Sequence, residues 1–404
     1  MDAVVFVSHY CPGERLSGSD SRTERVLRWF YERGIDVHFV NLTRKLYGRL
    51  PPAKLRRQMA SFHQVHLAGC EAKGPKSKQW EEITRPCKTP VLRFLSARQH
   101  RQATVQQRIS EVLSRTGAKM LWINHSLLAP AAPAPTKNPQ VLRIIDTFDV
   151  LHQRDESLRA GGLPPAHNVT RQMERQMLET FDVILAIQDQ EQQVLASMFP
   201  DRTVLTMGHS MDISPQPCHS ADICFVGSRY YVNGVNLLKF LHEAWPAIRA
   251  RCPDTKFQVV GGVCKSPQII EAARGDRRIV LRGMVLHTAD MFHGPAVVVC
   301  PLWMGSGLKI KMVEALSHGK ATVTTPVGSQ GLEQGAGSAF LVVQEPADFV
   351  PPIVELLTNA QRREQLETTA IDFARAHFQT AFVWQEMNNY LDQWRKQNRM
   401  AKSA

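Results

Sequence analysis

Residues 296–332, AVVVCPLWMGSGLKIKMVEALSHGKATVTTPVGSQGL, constrain the fold more than any other stretch. Ala296–Cys300 is an apolar, β-branched run of strand length, ended by Pro301. Met304–Gly307 is a short glycine-bearing turn. Leu308, Ile310, Met312, Val313, Ala315 and Leu316 then recur at helical spacing towards His318, with Gly319 as the stop. Ala321–Thr324 reads as a further strand, broken by Pro326 and Gly328. Strand, glycine turn, helix and strand make half of a parallel α/β unit, with a helix N-terminus just beyond a strand's C-terminal edge. Such a terminus offers unpaired N–H groups and partial positive charge, which suits phosphate. Lys309 and Lys311 sit where the helix dipole gives a lysine no structural reward, and Glu314 lies one turn further in. The pattern points to a diphosphate-and-ribose site.

The first 42 residues carry a β-α-β unit: Val4–Ser8, a helix over about Ser21–Glu32 stopped by Gly34, and Ile35–Leu42. The intervening loop holds Gly18, suited to turn geometry or to close approach of a ligand. It holds no G-x-G-x-x-G, which disfavours an NAD-dependent dehydrogenase. Short strands are expected at Phe62–Leu67 and Val91–Leu95, and a helix over Arg101–Arg115. Met120–Asn124, Val141–Ile145 and Asp182–Ile187 are strands. His125, Asp146 and Asp149 lie just past strand ends, where open α/β sheets bind ligands, although a lone histidine serves structure as readily. Val204–Met207 closes this half, and GHSMDISPQPCHSAD reads as a linker.

The count then starts again with Ile223–Val226, the turn Gly227-Ser228-Arg229, and a helix over Val235–Ala250. Phe257–Val260 and Ile279–Leu281 follow, the latter ending in Arg282-Gly283, and a short helix includes Ala289–Phe292. Leu341–Val343 is a last strand before helices at about 352–358, 361–377 and 380–397. The expected architecture is α/β, with two Rossmann-like domains facing across a cleft. The first spans 1–207, a linker 208–221 and the second 222–380, and a C-terminal helix over 381–404 packs back across the cleft.

With 43% hydrophobic residues, 404 positions suffice for two cores. No run of eighteen apolar residues exists and the N-terminus lacks a secretory leader, so a cytoplasmic protein is expected. Eight cysteines without a C-x-x-C pair imply free thiols and no zinc site. Between Asn41 and Met120, seventeen Lys or Arg face four acids, which accounts for the whole chain's net charge of +12. This stretch is either a solvated surface or a face for an anionic partner at the inner side of a membrane. Nucleic acid is not expected, because no binding motif accompanies the charge.

The segments FVGSRYYVNGVNLLKFLHEAWPAI, FQVVGG, RGMV and the 296–332 stretch, in that order, resemble the donor domain of retaining glycosyltransferases of the GT-B fold, family 4 (glycosyl transferases group 1). The first half is similar in layout through SHYCPGERLSGSDSRTERVLRWFYERGIDVHFVNL, INH, IDTFDVLHQRD and FDVILAIQDQE. The resemblance implies that Glu314 is the second glutamate of the family's E-x7-E motif, holding the ribose hydroxyls. Ser306 stands where the first glutamate would be, so Ser306 and the amides of Gly307 and Leu308 would take the sugar contact. Lys309 and Lys311 would serve the diphosphate. The family's G-R-x4-K pair reads Gly227-Ser228 and Asn233, with Arg229 one place off as a substitute. Arg282 and Gly283 would begin the nucleobase pocket. Gly18 would join the donor site, and Asp146 and Asp149 would face the acceptor.

The resemblance implies transfer of a sugar, of hexosyl type, from a nucleotide-diphosphate donor to a glycan or lipid-linked acceptor in cell-surface polysaccharide biosynthesis, with retention at the anomeric carbon. His125, Lys309 and Glu314 are the expected catalytic group, with His125 orienting or polarising rather than acting as nucleophile. No cofactor or metal is expected, since no D-x-D occurs in a metal-binding context. A sugar-nucleotide epimerase of the same fold and a silent nucleotide-binding scaffold are the alternatives.

Overall fold

The computed structural model describes residues 2–10, 17–42, 65–67, 99–285 and 287–403. It divides into two compact units, the first holding most of the chain up to Leu205 and the second the chain from Thr206 on, with Gly18 and Gln188–Gln190 grouped with the second. Most of the basic 41–120 stretch, the expected strand at Val91–Leu95, and Cys11, Cys70 and Cys87 lie outside the described residues.

The first unit runs β1 (Ala3–Ser8), α1 (Gly18–Glu32), β2 (Asp36–Asn41), β3 (Val65–Leu67), α2 (Gln99–Thr116), β4 (Met120–Asn124), β5 (Leu142–Asp146), α3 (Leu151–Ala160), α4 (Arg171–Leu178), β6 (Val183–Ala186), α5 (Asp189–Met198) and β7 (Thr203–Thr206). The strands form one seven-stranded sheet in the order β3-β2-β1-β4-β5-β6-β7. β4 and β5 are buried along their whole length and β1 along all but its first residue, as parallel strands covered on both faces must be. Phe6 stacks between Phe39 and Trp122, and Phe30 meets Trp122 edge-on at 5.2 Å, fixing α1 against the sheet centre. Gly34 ends α1 with φ +64°, as the stop signal required.

The second unit runs β8 (Cys218–Val226), α6 (Tyr231–Glu243), α7 (Trp245–Arg251), β9 (Phe257–Val260), α8 (Pro267–Gly275), β10 (Ile279–Gly283), α9 (Thr288–Phe292), β11 (Gly294–Cys300), α10 (Ile310–Ser317), β12 (Ala321–Thr324), β13 (Leu341–Val342), α11 (Val350–Thr358), α12 (Ala360–His377), α13 (Thr380–Val383) and α14 (Gln385–Ser403). Its six strands are parallel, in the order β10-β9-β8-β11-β12-β13. Phe225, Phe240, Trp245, Phe257 and Phe349 anchor the core on one face.

Several elements differ from expectation. β8 begins at Cys218 rather than Ile223, because Pro295 and Gly294 of β11 pair with Ser220 and Cys218. The helix expected over 235–250 starts earlier and breaks at Ala244, where Pro246 supplies no N–H and opens a second helix. Helices α3, α5 and α8 occupy stretches to which the sequence reading assigned no element. Among the described residues, Cys218, Cys224, Cys252, Cys264 and Cys300 are free thiols, as expected.

Candidate active site

Each sheet has a point where strand order reverses: β8 and β11 in the second, β1 and β4 in the first. Loops leaving such neighbours diverge and open a crevice at the strands' C-terminal ends. In the second unit β8 leads into the turn Gly227-Ser228-Arg229. That turn is held low by glycine: the Gly227 amide donates to Val260 O at 2.9 Å and its carbonyl accepts from Val263 N at 3.1 Å. A Cβ on Gly262 would stand 2.8 Å from Arg229 N, and one on Gly261 (φ +99°) would run into the Gly227 carbonyl. A Cβ on Gly227 itself would lie 2.7 Å from the Phe225 ring. Arg229 is exposed on this turn.

From β11 the chain passes through Gly305 (φ +127°) and Gly307 (φ +74°), backbone shapes that glycine adopts without strain. Helix α10 follows from Ile310, two residues later than the apolar spacing suggested, with Lys309 as N-cap and no side-chain cap. Helix α3, by contrast, is closed at its N-terminus by Glu174, which accepts from Leu151 N (2.9 Å) and His152 N (3.0 Å). The start of α10, which no side chain caps, thus lies at the C-terminal end of β11 with the partial positive charge of its amides facing the crevice.

The two lysines, read alike from sequence, have different work. Lys309 Nζ donates to Ser306 O (2.9 Å), Gly307 O (2.5 Å) and Gln330 Oε1 (3.1 Å), so three acceptors of its own loops absorb the ammonium. Lys309, expected to serve the diphosphate, here clamps the 305–309 turn. Lys311 Nζ donates to Asn233 Oδ1 at 2.8 Å and lies 4.6 Å from the centre of the Phe225 ring. Among the described residues its other two N–H groups meet no acceptor. Burial lowers its pKa below the usual lysine value, opposed by the nearby Cys300 and Glu314. Ser306 and Leu308 are half-buried on the turn, and Glu314 is buried one turn into α10.

Arg282 does not stand free for a nucleobase. Its guanidinium donates to Asp290 O (2.7 Å), Gln258 Oε1 (3.1 Å) and Met291 O (3.4 Å), tying β10 to α9. Gly283 (φ +71°) turns the chain out of β10, and its carbonyl accepts from Gly261 N at 2.7 Å.

In the first unit, β1, β4 and β5 end in register on Ser8, Asn124 and Asp146. Asn124 Nδ2 donates to Ser8 Oγ (3.0 Å) and Thr23 Oγ1 (2.8 Å). Arg22, absent from the sequence reading, donates from Nε (2.9 Å) and Nη2 (2.8 Å) to the two oxygens of Asp146. Both side chains are wholly buried. Asp146, expected to face the acceptor, is held in this pair with Arg22. Asp149 is ion-paired with Arg154 and 2% exposed. Gly18 is the first residue of α1.

His125 follows β4 with φ +113°, and Phe148 follows β5 with φ +69°. Their rings lie 5.2 Å apart, and Tyr10 stacks on Phe148 at 5.6 Å. Two non-glycine residues in the left-handed region, in contact, mark a place where packing enforces strain. His125 Nδ1 accepts from Leu127 N at 3.1 Å, which puts the proton of the neutral ring on Nε2. Burial pushes its pKa well below the usual histidine value. The ring thus presents Nε2–H as a donor, with Nδ1 already taken by the backbone. Phe148 was legible only as an apolar residue between two aspartates.

Among the described residues no group of three or more His, Cys, Asp or Glu is arranged to hold a metal ion, and no helix is long and apolar enough to cross a membrane.

Residues 220–359 match the family model for glycosyl transferases group 1. Over 173 residues the chain is 20% identical to an uncharacterized 44.6 kDa protein in the cps region of Klebsiella pneumoniae, covering 41% of this chain and under half (45%) of that relative. Sucrose-phosphate synthase from Thermosynechococcus elongatus superposes with a TM-score of 0.67 at 13% identity, over 99% of this chain and 100% of that one. TarM gives 0.70 at 10% identity, over 96% and 98%. HepE from Anabaena, solved with UDP and glucose, gives 0.62 at 11% identity, over 97% and 100%. Such likenesses concern the fold, and the fold is GT-B: two Rossmann-like α/β domains in one chain.

Proposed function

We propose that the protein is a retaining glycosyltransferase that moves a sugar from a nucleotide-diphosphate donor, most simply a UDP-sugar, to a glycan or lipid-linked acceptor. One observation carries the reading. At the switch point of the domain that matches the glycosyl transferases group 1 model, an uncapped helix start lies beside a half-buried ammonium with two uncommitted N–H groups. That is a site for a leaving diphosphate. The bond to the anomeric carbon breaks as negative charge grows on the phosphate. Fixed positive groups aimed at that charge stabilise the transition state without having to reorganise.

Lys311 and the amides at the start of α10 take this role, Glu314 holds the ribose hydroxyls, and Ser306 with the Gly307 and Leu308 amides receives the sugar. Gly283 shapes the base pocket, and exposed Arg229 supplies a further phosphate contact. The acceptor hydroxyl attacks from the face the leaving group vacates, and its proton passes to the departing phosphate oxygen. His125, through Nε2–H, orients a hydroxyl in the first domain, with Asp149 following Phe148, whose ring meets that of His125. No cofactor or metal takes part. HepE, solved with UDP and glucose, supports the choice of base. The basic residues of 41–120 would face an anionic membrane surface at the inner face, where cell-surface polysaccharide precursors are handled.

The test is incubation with UDP-, GDP- and ADP-sugars and a panel of glycan and lipid-linked acceptors, with and without a chelator. Acceptor-dependent release of one nucleoside diphosphate, insensitive to chelator, with an NMR coupling that shows the donor's anomeric configuration kept, supports the reading. An inverted product, or conversion of the nucleotide sugar with no acceptor present, refutes it.

A further inference from the structure

We infer that Asn233 is a positioning residue for the phosphate site, holding the Lys311 ammonium from a fixed point on the β8–α6 turn so that its other two N–H groups serve a ligand oxyanion. The inference rests on the nucleoside-diphosphate reading above. Asn233 Nδ2 donates to Ser228 O at 3.2 Å and Ser228 Oγ at 3.1 Å, while Oδ1 accepts from Lys311 Nζ at 2.8 Å. The amide can face only one way. A backbone carbonyl accepts and never donates, so Nδ2 must meet Ser228; an ammonium donates and never accepts, so Oδ1 must meet Lys311. Asn233 is 8% exposed, and its α6 position is locked by its own amide donating to Tyr230 O at 3.0 Å.

A neutral acceptor matters at this point. The Phe225 ring 4.6 Å away and the amide dipole hold the ammonium while leaving its full charge for the ligand. An aspartate in the same place would hold it more strongly and cancel the charge. The remaining titratable groups beside Lys311 are Cys300 at the end of β11 and Glu314 along α10. The chain of contacts Ser228–Asn233–Lys311 also makes the turn after β8 and the start of α10 one cradle, although they are 78 residues apart at the Asn233–Lys311 contact.

The experiment is calorimetric titration of UDP and GDP into the full chain, for wild type, Asn233→Asp, Asn233→Ser, Lys311→Met and the double variant Asn233→Asp/Lys311→Met, between pH 6.5 and 10. Melting curves confirm folding, and Asn233→Ser serves if Asn233→Asp does not fold. Expected are about tenfold weaker binding for Asn233→Asp at neutral pH and a shift of its alkaline loss of affinity to higher pH, because the carboxylate stabilises the ammonium. In the Lys311→Met background the Asn233→Asp change should cost little further. Equal affinity of Asn233→Asp and wild type, or an Asn233→Asp penalty undiminished without Lys311, overturns the positioning role while leaving nucleotide binding intact. A wild type that binds neither nucleotide overturns the functional reading itself, and this inference with it.

Discussion

Arg22 and Asp146 meet through two hydrogen bonds, Nε to Oδ2 at 2.9 Å and Nη2 to Oδ1 at 2.8 Å, with neither side chain exposed. The Arg22 guanidinium also lies 5.5 Å from the centre of the Phe148 ring, whose backbone is left-handed. The pair thus sits under the strained His125–Phe148 contact.

Removing one partner leaves the other charged and buried, at a cost of about 3–5 kcal/mol. Asp146→Asn and Arg22→Met should each destabilise the first domain by that order, whereas the double variant Arg22→Met/Asp146→Leu should recover part of the loss. Urea unfolding followed by circular dichroism checks both points.

Gly261 has φ +99° and its backbone abuts the Gly227 carbonyl, so a methyl group there faces both strain and collision. Gly261→Ala should cost about 1–3 kcal/mol. It should also weaken nucleotide binding by lifting the 227–229 turn off β9, whereas Gly275→Ala, with open space around its α-carbon, should leave binding unchanged. Melting temperature and UDP titration read the two effects separately.

His125 is 4% exposed and held neutral by burial, its pKa lowered well below 6.5. The unfolded chain takes up this proton near pH 6.5 while the folded one does not, so stability is full above that pH and falls as the pH drops below it. The expected loss is about 1.4 kcal/mol per pH unit from this group. His125→Gln should flatten the slope of unfolding free energy against pH between 6.5 and 5; an unchanged slope would show that His125 protonates without cost.

The sequence made the doubly wound sheets legible because their central strands are continuous apolar runs with glycine or proline at the ends: Met120–Asn124 and Phe257–Val260 stand where expected. Helix α3 was missed because its buried positions include His152 and Asp155, polar residues whose partners come from elsewhere: Glu174 for His152, and the amides of Ala166, His167 and Val169 for Asp155. The same limit applies at the site. Lys309 and Lys311 are equivalent in sequence, and their difference arises from Gln330 and Asn233, each brought in by another element. Arg22 could not be paired with Asp146 across 124 positions without the register of β1, β4 and β5.

Titration of UDP into wild type, Lys311→Met and Lys309→Met at neutral pH tests most directly whether the start of α10 is a nucleoside-diphosphate site. Wild type should bind without metal, with a stabilisation of about 2.7 kcal/mol at a hundred times the dissociation constant. Lys311→Met should lose most of that affinity at an unchanged melting temperature. Lys309→Met should lose stability, because the Ser306 and Gly307 carbonyls lose their shared donor. Binding of UDP by Lys311→Met with wild-type affinity would contradict the assignment of this cradle to the leaving diphosphate.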